Sequence, residues 1–372
     1  MLNGKIQDFF EIGSGNSGLT EKIIYLNQPK SKKTTVKVFS ASTKESTSMA
    51  CVDERALLNK GNKLVKLKIY KGEGIIISRK GKAGNLLYVD EEKYTLNDDA
   101  YTLRVKSKYV KDISLKYVLY TMRKWTELCV ISDKGGNRTF NKTLFEKMEM
   151  DLPGIDQQEQ VVEEYEKLEK IYFYLQQKKK ELHKTMSKIV KVNGEIYKVK
   201  DIFDVSAGKR IKEEEVYLHK GNFPCATAQT SNNGITWYAD KSWLETIGKK
   251  HIITVPCITW TKDGAKTGTM FYRDYPFYAN DHCGILIPKR EFEDAIYMKW
   301  FVFSQKYNIL QAVTARTGQT MLYKEQMKNV TFQLPSYKKQ VEIAKEYERL
   351  DEINTEIKTA MEKIEKVLHR FP

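Results

Sequence analysis

The sequence of 372 residues contains only five cysteines: Cys51, Cys129, Cys225, Cys257 and Cys283. They are odd in number and far apart, with no CxxC pair and no Cys/His cluster, which argues against a disulfide framework and a zinc site. They read as free thiols of a reducing, cytoplasmic compartment. No apolar run approaches the roughly 20 residues of a membrane span, and the start, MLNGKIQDFFEIGSG, lacks an apolar signal core. Neither a membrane location nor export is expected. No GxxxxGK[ST] loop occurs, so the chain is no P-loop motor. No Pro-Pro pair occurs, so an Asn/Asp-Pro-Pro-Tyr type of adenine-methylation motif is missing. KGEGII is a poor dinucleotide loop because no helix follows it. The five histidines fit no HExxH or triad pattern. Asp90, Glu91 and Lys93 have nuclease-like composition, but a charged turn explains them better.

What is abundant is positive charge. Lys and Arg number 63 against 48 Asp and Glu, a balance of +15, and nucleic acid is the leading acidic partner for such a chain. Apolar residues make up 41%, with 22 Tyr, 15 Phe and 5 Trp, enough for packed cores. The length predicts two or three domains.

The sequence repeats itself. LPGIDQQEQVVEEYEKLEKI from Leu152 recurs as LPSYKKQVEIAKEYERLDEI from Leu334, 182 residues later. Gly136 recurs as Gly318, and Lys116-Tyr117 as Lys299-Trp300. Asn97-Asp98 recurs as Asn280-Asp281, ISRKGKAGN as ITWTKDGAKTGTM, and Asp8-Phe9-Phe10 as Asp201-Ile202-Phe203. The last offset is 193, so about eleven residues have been gained or lost between landmarks. Four segments follow: globular units at 1–150 and 191–333, and long helices at 151–190 and 334–372. The units carry balances of +11 and +5 and the helices −1 and 0, so the basic surface belongs to the units.

The helices carry a heptad seam. In the first it runs through Val161, Tyr165, Leu168, Tyr172, Leu175, Lys179 and Leu182, and on to Met186 and Ile189. In the second it runs through Ile343, Tyr347, Leu350, Asn354, Ile357, Met361, Ile364 and Leu368, in the same register. Lys179 and Asn354 are polar interruptions that would fix register. Asp156 and Ser336 are candidate caps after the Leu-Pro pairs. An antiparallel pair is expected; the competing arrangement lays each helix on its own unit. The units read as mixed strands with a few helices, an α+β class.

Candidate nucleic-acid contacts lie in polar loops. Ser42 and Lys44 sit in FSASTKESTS, and Gln229, Ser231, Asn232 and Asn233 in CATAQTSNNG; Gln and Asn can pair with adenine edges, Lys and Arg with guanine. Lys80, Lys82, Lys262 and Lys266 flank Gly turns that let backbone approach phosphate. Arg138, Arg316 and Gln319 lie in two further loops. Solvated turns and ordinary charged hairpins compete with these readings. Asn97-Asp98 and Asn280-Asp281 read at least as well as turn caps, and Trp237, Tyr238 and Trp243 better as core than as stacking platforms.

Assembled in this order, the two units with QLPSYKKQVEIAKEYERLDEI and DLPGIDQQEQVVEEYEKLEKI after them, and SNNGITWY and NDHCGILI in the second, resemble a specificity subunit of a type I restriction-modification system. The resemblance implies two target-recognition domains, each reading half of a split double-stranded DNA target. It implies spacer helices that form an antiparallel coiled coil with pseudo-two-fold symmetry, set the gap and dock two modification subunits. Those partners would methylate adenine with S-adenosylmethionine; a complex that also cuts would add a motor-nuclease subunit using ATP and Mg. The chain itself would bind no cofactor and catalyse nothing. A type IIB recognition subunit is a close relative of this family. The FSASTKESTS loop departs by lacking the Asn-Gly of SNNGITWY. The rival classes are a nuclease or methyltransferase with duplicated modules, and a scaffold whose basic units bind RNA or acidic proteins.

Overall fold

The computed structural model describes residues 1–41, 49–61, 63–316 and 319–369, apart from the side chains of Lys60, Tyr307, Ala315, Arg316 and Gln319. Two compact units emerge: Met1–Tyr174 with Met361–Pro372, and Leu175–Ala360. Each holds one globular body and a stretch of both long helices, Ile155–Ile189 and Tyr337–Leu368.

The two bodies open and close alike. Leu2–Lys5 pairs antiparallel with Glu149–Leu152, and Glu195–Lys198 with Thr331–Leu334. A single helical turn follows each opening strand, Ile6–Phe9 and Val199–Ile202. Asp8 accepts from the Lys5 N–H at 2.8 Å, and Asp201 from the Lys198 N–H at 2.8 Å. A carboxylate here satisfies an orphan donor and suits the positive end of the turn. Ile6, Phe9, Val199 and Ile202 are buried, so the repeated Asp-aromatic landmarks are an acid cap beside core anchors.

The first body carries a six-stranded sheet in the order Phe10–Ser14, Ala100–Val105, Tyr70–Ser78, Leu86–Leu96, Thr35–Phe39, Ala50–Asp53. Ile75, Ile76 and Ile77 are all fully buried, as expected for a central strand covered on both faces. The second body divides its strands between two four-stranded sheets. One parallel pair recurs: Lys37–Phe39 beside Tyr94–Leu96, and Cys225–Ala226 beside Tyr278–Ala279.

Helices Leu115–Thr121 and Met298–Ser304 line the main cores. The beginning of each long helix docks on the same cores, through Val161 and Val162 in one unit and Ile343 and Ala344 in the other. Tyr165 stacks on Tyr120 with ring centroids 3.8 Å apart, and Tyr347 on Phe303 at 4.0 Å. The early seam therefore turns toward its own globular body. Farther along, the helices meet each other. Tyr172 donates to Glu365 in the first unit, and His183 Nε2 lies 3.0 Å from Asn354 Oδ1 in the second. In the second unit Met186 and Val190 share a cleft with Asp351 and Tyr347, so the chains run antiparallel there. Seam positions are withdrawn from water throughout: Tyr165, Ile343 and Leu350 are buried, and Val161, Leu168, Tyr172, Leu175, Lys179, Leu182, Tyr347, Asn354, Ile357, Met361 and Ile364 half-buried. Asp156 falls inside the first helical turn instead of at the cap, because the helix already begins at Ile155 after Gly154. Ser336 immediately precedes the second helix.

Candidate nucleic-acid interface

The recurring parallel strand pair delivers a polar loop at the same place in both bodies. In the second, the strand Lys220–Ala226 leads into residues 227–234 and returns as Ile235–Ala239. In the first, Thr35–Phe39 returns as Ala50–Asp53, which places Ser42 and Lys44 in the equivalent connection; both lie outside the described residues.

The loop of the second body has a defined shape. Gln229, Ser231, Asn232 and Asn233 are all exposed. Gln229 Nε2 donates to Ser231 Oγ, and Asn232 Nδ2 donates to the Ile235 carbonyl at 3.2 Å. Asn232, Asn233 and Gly234 have φ of 47°, 51° and 74°, a left-handed run that Asn and Gly tolerate best. Beneath it lies Arg273, fully buried, among the rings of Phe271, Tyr275 and Phe277 at 5.0–5.9 Å. Arg273 Nε donates to Thr259 Oγ1 at 2.9 Å and Nη1 to Tyr275 Oη at 2.7 Å. The same hydroxyl accepts from Asn233 Nδ2 at 3.0 Å. A Cβ on Gly234 would come within 2.9 Å of Arg273 Nη2, so the loop rests directly on the guanidinium. Loop and base form one hydrogen-bonded network that fixes which polar groups face solvent.

The Gly turns are also equivalent. Gly81 and Gly84 have φ of 64° and 84°, and Gly264 and Gly268 have 91° and 86°. Their lysines are not all available for phosphate. Lys80 stands 3.4 Å from Asp99, and Lys262 Nζ donates to the Asp281 carbonyl at 2.6 Å. Arg79, which corresponds to Lys262, donates likewise to the Asp98 carbonyl at 3.1 Å. These cations bind the Gly turn to the Asn-Asp turn. That turn is an Asx cap in both copies: Asn97 Oδ1 accepts from the Asp99 N–H at 3.1 Å, and Asn280 Oδ1 from the His282 N–H at 3.3 Å. Lys82 and Lys266 are exposed.

Each Gly turn is bridged to a short hairpin, Lys80 to Thr139 and Asp263 to Met321. Arg138 is exposed on the first, and shares a cleft of about 470 Å³ with Lys82 and Arg123. Arg316 and Gln319 face each other across the second, their side chains outside the description. Trp237 and Trp243 pack on the core, Trp243 also stacking on His219, while Tyr238 is exposed. Burial pushes the thiols of Cys225 and Cys257 up to about 12 and those of Cys129 and Cys283 up to about 11, which suits packing and not nucleophilic chemistry. Among the described residues no His/Cys/Asp/Glu group is arranged to hold a metal, and no helix is long and apolar enough to cross a membrane.

Sequence reasoning missed Arg123, Arg273 and Tyr275. Arg123 was hidden inside an amphipathic pattern. Arg273 and Tyr275 lie in a strand and turn, and only tertiary pairing brings them under the loop.

A family model described as the type I restriction modification DNA specificity domain matches twice, over residues 3–184 and 191–367. Among curated relatives, the N-terminal part of a type I specificity subunit of Mycoplasma pneumoniae is 34% identical over 110 residues, 29% of this chain and 51% of that protein. A second type I specificity subunit of that organism is 25% identical over 170 residues, 46% of this chain and 43% of the relative. The matches thus span about half the length of those relatives or less. Among solved structures, the type I S subunit from M. genitalium aligns over 100% of this chain and 94% of its own, with a TM-score of 0.59 and 14% identity. A type I system described for its complex assembly and conformational transition aligns over 99% and 94%, with a TM-score of 0.55 and 12% identity. Both alignments run over essentially the whole chain, and the likeness is one of fold.

Proposed function

The chain belongs to the type I restriction modification DNA specificity family, and from that premise we propose that it is the sequence-reading subunit of a restriction-modification complex. Each globular body reads one half of a bipartite double-stranded DNA target. The repetition of one scaffold carries this reading: the same strand pair, Gly turn, Asx cap and short hairpin hold loops of different composition. A constant frame with variable loops suits two readers of different sequences. In this reading loop residues Gln229, Ser231, Asn232 and Asn233, with Ser42 and Lys44 of the other body, are the candidate readers of base edges, while Lys82, Arg138, Lys266, Arg316 and Gln319 are the candidates for the backbone or neighbouring bases. Lys80 and Lys262 act mainly by holding the Gly turns in place.

In this proposal the chain is non-catalytic, consistent with the missing motor and methylation motifs. Two modification subunits supply adenine methylation with S-adenosylmethionine inside the cell, and a complex that also cuts adds motor-nuclease subunits using ATP and Mg. The long helices set the gap between half-sites and dock the modification subunits. Both family model and relatives are of type I, which favours this over a type IIB subunit.

The test is genome-wide mapping of methylated adenine in cells carrying the chain and its modification partner, with and without the chain. The expected result is loss of one split motif with a fixed gap. Unchanged methylation with an active partner would refute the reading.

A further inference from the structure

The first body contains a basic cleft whose two arginines have no arginine counterparts at the corresponding positions of the second body. The cleft, about 470 Å³, is walled by the Gly turn from Lys82 to Leu87, by Arg123, Thr126 and Glu127 of the helix Arg123–Leu128, and by Arg138 of the short hairpin. Three cations from three separate elements thus face one opening, and all are exposed. Among the described residues none of the three makes an ion pair, although Glu127 shares the wall and Arg123 acts at longer range on Glu169. Like charges around one opening repel, and an anion between them removes that cost.

The turn is held against this site. A Cβ on Gly84 would lie 3.0 Å from Val130 Cγ2 and 3.2 Å from the Thr126 carbonyl, so only glycine lets the backbone come this close. At the root of the turn, Ser78 Oγ donates to the Ala41 carbonyl at 3.2 Å, and Ala41 leads straight into residues 42–48. The root of the turn is thus hydrogen-bonded to the last described residue before segment 42–48. The second body places Lys306 where the first has Arg123, Leu310 in place of Glu127, and Thr320 in place of Arg138. Neither arginine of the cleft has an arginine at its corresponding position there. This asymmetry accords with balances of +11 and +5 for the two globular segments.

We propose that the cleft of Lys82, Arg123 and Arg138 binds a backbone phosphate of DNA beside the half-site read by the first body. The proposal rests on the DNA-reading function above. Guanidinium groups meet phosphate through two parallel hydrogen bonds, and such contacts fix position without choosing bases.

The test uses the full complex with its modification partner, on duplexes carrying the mapped target or a scrambled one. Affinity is measured from about 50 to 200 mM salt. Arg123→Ala with Arg138→Ala is expected to lower the slope of log affinity against log salt by about two, and to weaken binding to both duplexes alike. The methylated motif should stay the same, and Arg123→Lys with Arg138→Lys should restore most of the slope. An unchanged slope in a complex that still prefers its target overturns the phosphate site and leaves the DNA-reading function standing. A changed motif overturns it too, because the cleft would then read bases. A parent complex without any preference for target DNA overturns the function and this site together.

Discussion

Lys80 stands 3.4 Å from Asp99, and at the corresponding positions of the second body Asp263 stands 2.8 Å from His282, with the acidic side chain now on the Gly turn. The tie between Gly turn and Asx turn has been kept while the carboxylate moved from one turn to the other. The constraint is therefore on the contact and not on either charge. Both pairs are partly exposed, so a double-mutant cycle at Lys80 and Asp99 should give a coupling of about 0.2–1 kcal/mol. Lys80→Asp with Asp99→His should fold with parental stability by thermal denaturation. A Lys80→Ala protein of normal stability that no longer binds DNA would make Lys80 a direct contact instead.

Gln158 and Gln340 are both fully buried and make the same three bonds. Gln158 accepts from the Ser114 N–H at 2.9 Å and donates to the Asp112 and Pro153 carbonyls at 2.9 and 2.8 Å. Gln340 accepts from the Tyr297 N–H at 2.7 Å and donates to the Ala295 and Pro335 carbonyls at 2.8 and 2.9 Å. Each amide rivets a long helix to the globular body before it. Gln158→Ala and Gln340→Ala should each cost on the order of 2–4 kcal/mol in urea denaturation, because buried backbone groups lose their partner. A loss below about 1 kcal/mol would mean that water replaces the amide.

Tyr275→Phe removes the hydroxyl that joins Arg273 to Asn233. The base of the loop is then left with a buried donor and the loop with one fewer tether. Methylation mapping is expected to show relaxed or altered recognition in one half of the split motif and an unchanged other half. Alteration of both halves, or of neither, would sink the assignment of this loop.

Leu175–Glu181 lies between the paired residues Tyr172 and His183, and Glu356–Glu362 between their partners Asn354 and Glu365. Deleting both heptads shortens the helices by about 10 Å. The gap between half-sites should shrink by roughly three base pairs, at 3.4 Å each, with both halves conserved. An unchanged gap would remove the helices from that role.

The seam residues and their shared register were legible because a heptad pattern survives in any helix that hides one stripe. The repeated Asp8 and Asp201 were visible as landmarks, and the structure supplies their role as caps. What the pattern could not tell was the helix's neighbour: Tyr165 meets Tyr120 of a globular body, while Tyr172 meets the other helix at Glu365. Both look alike as apolar positions. The roughly eleven-residue drift in the repeat accumulates upstream of Asn97 and Asn280, and part of it falls where one hairpin of the first body gives way to the helix Lys241–Gly248 of the second. Arg273 was illegible because a lone arginine in a strand looks solvent-facing until its aromatic cage is assembled.

Leu2 lies opposite Leu152, and Glu195 opposite Leu334. Each body thus takes in and releases the chain at adjacent strands of one two-stranded ribbon. Everything between is a closed excursion from that ribbon, and its length leaves the point of departure into the long helix unchanged. The second excursion is some eleven residues shorter than the first and still returns to the same ribbon. Such a body is built as a closed insert: a foreign segment whose ends form the same ribbon is expected to fold in its place with the start of the long helix unmoved.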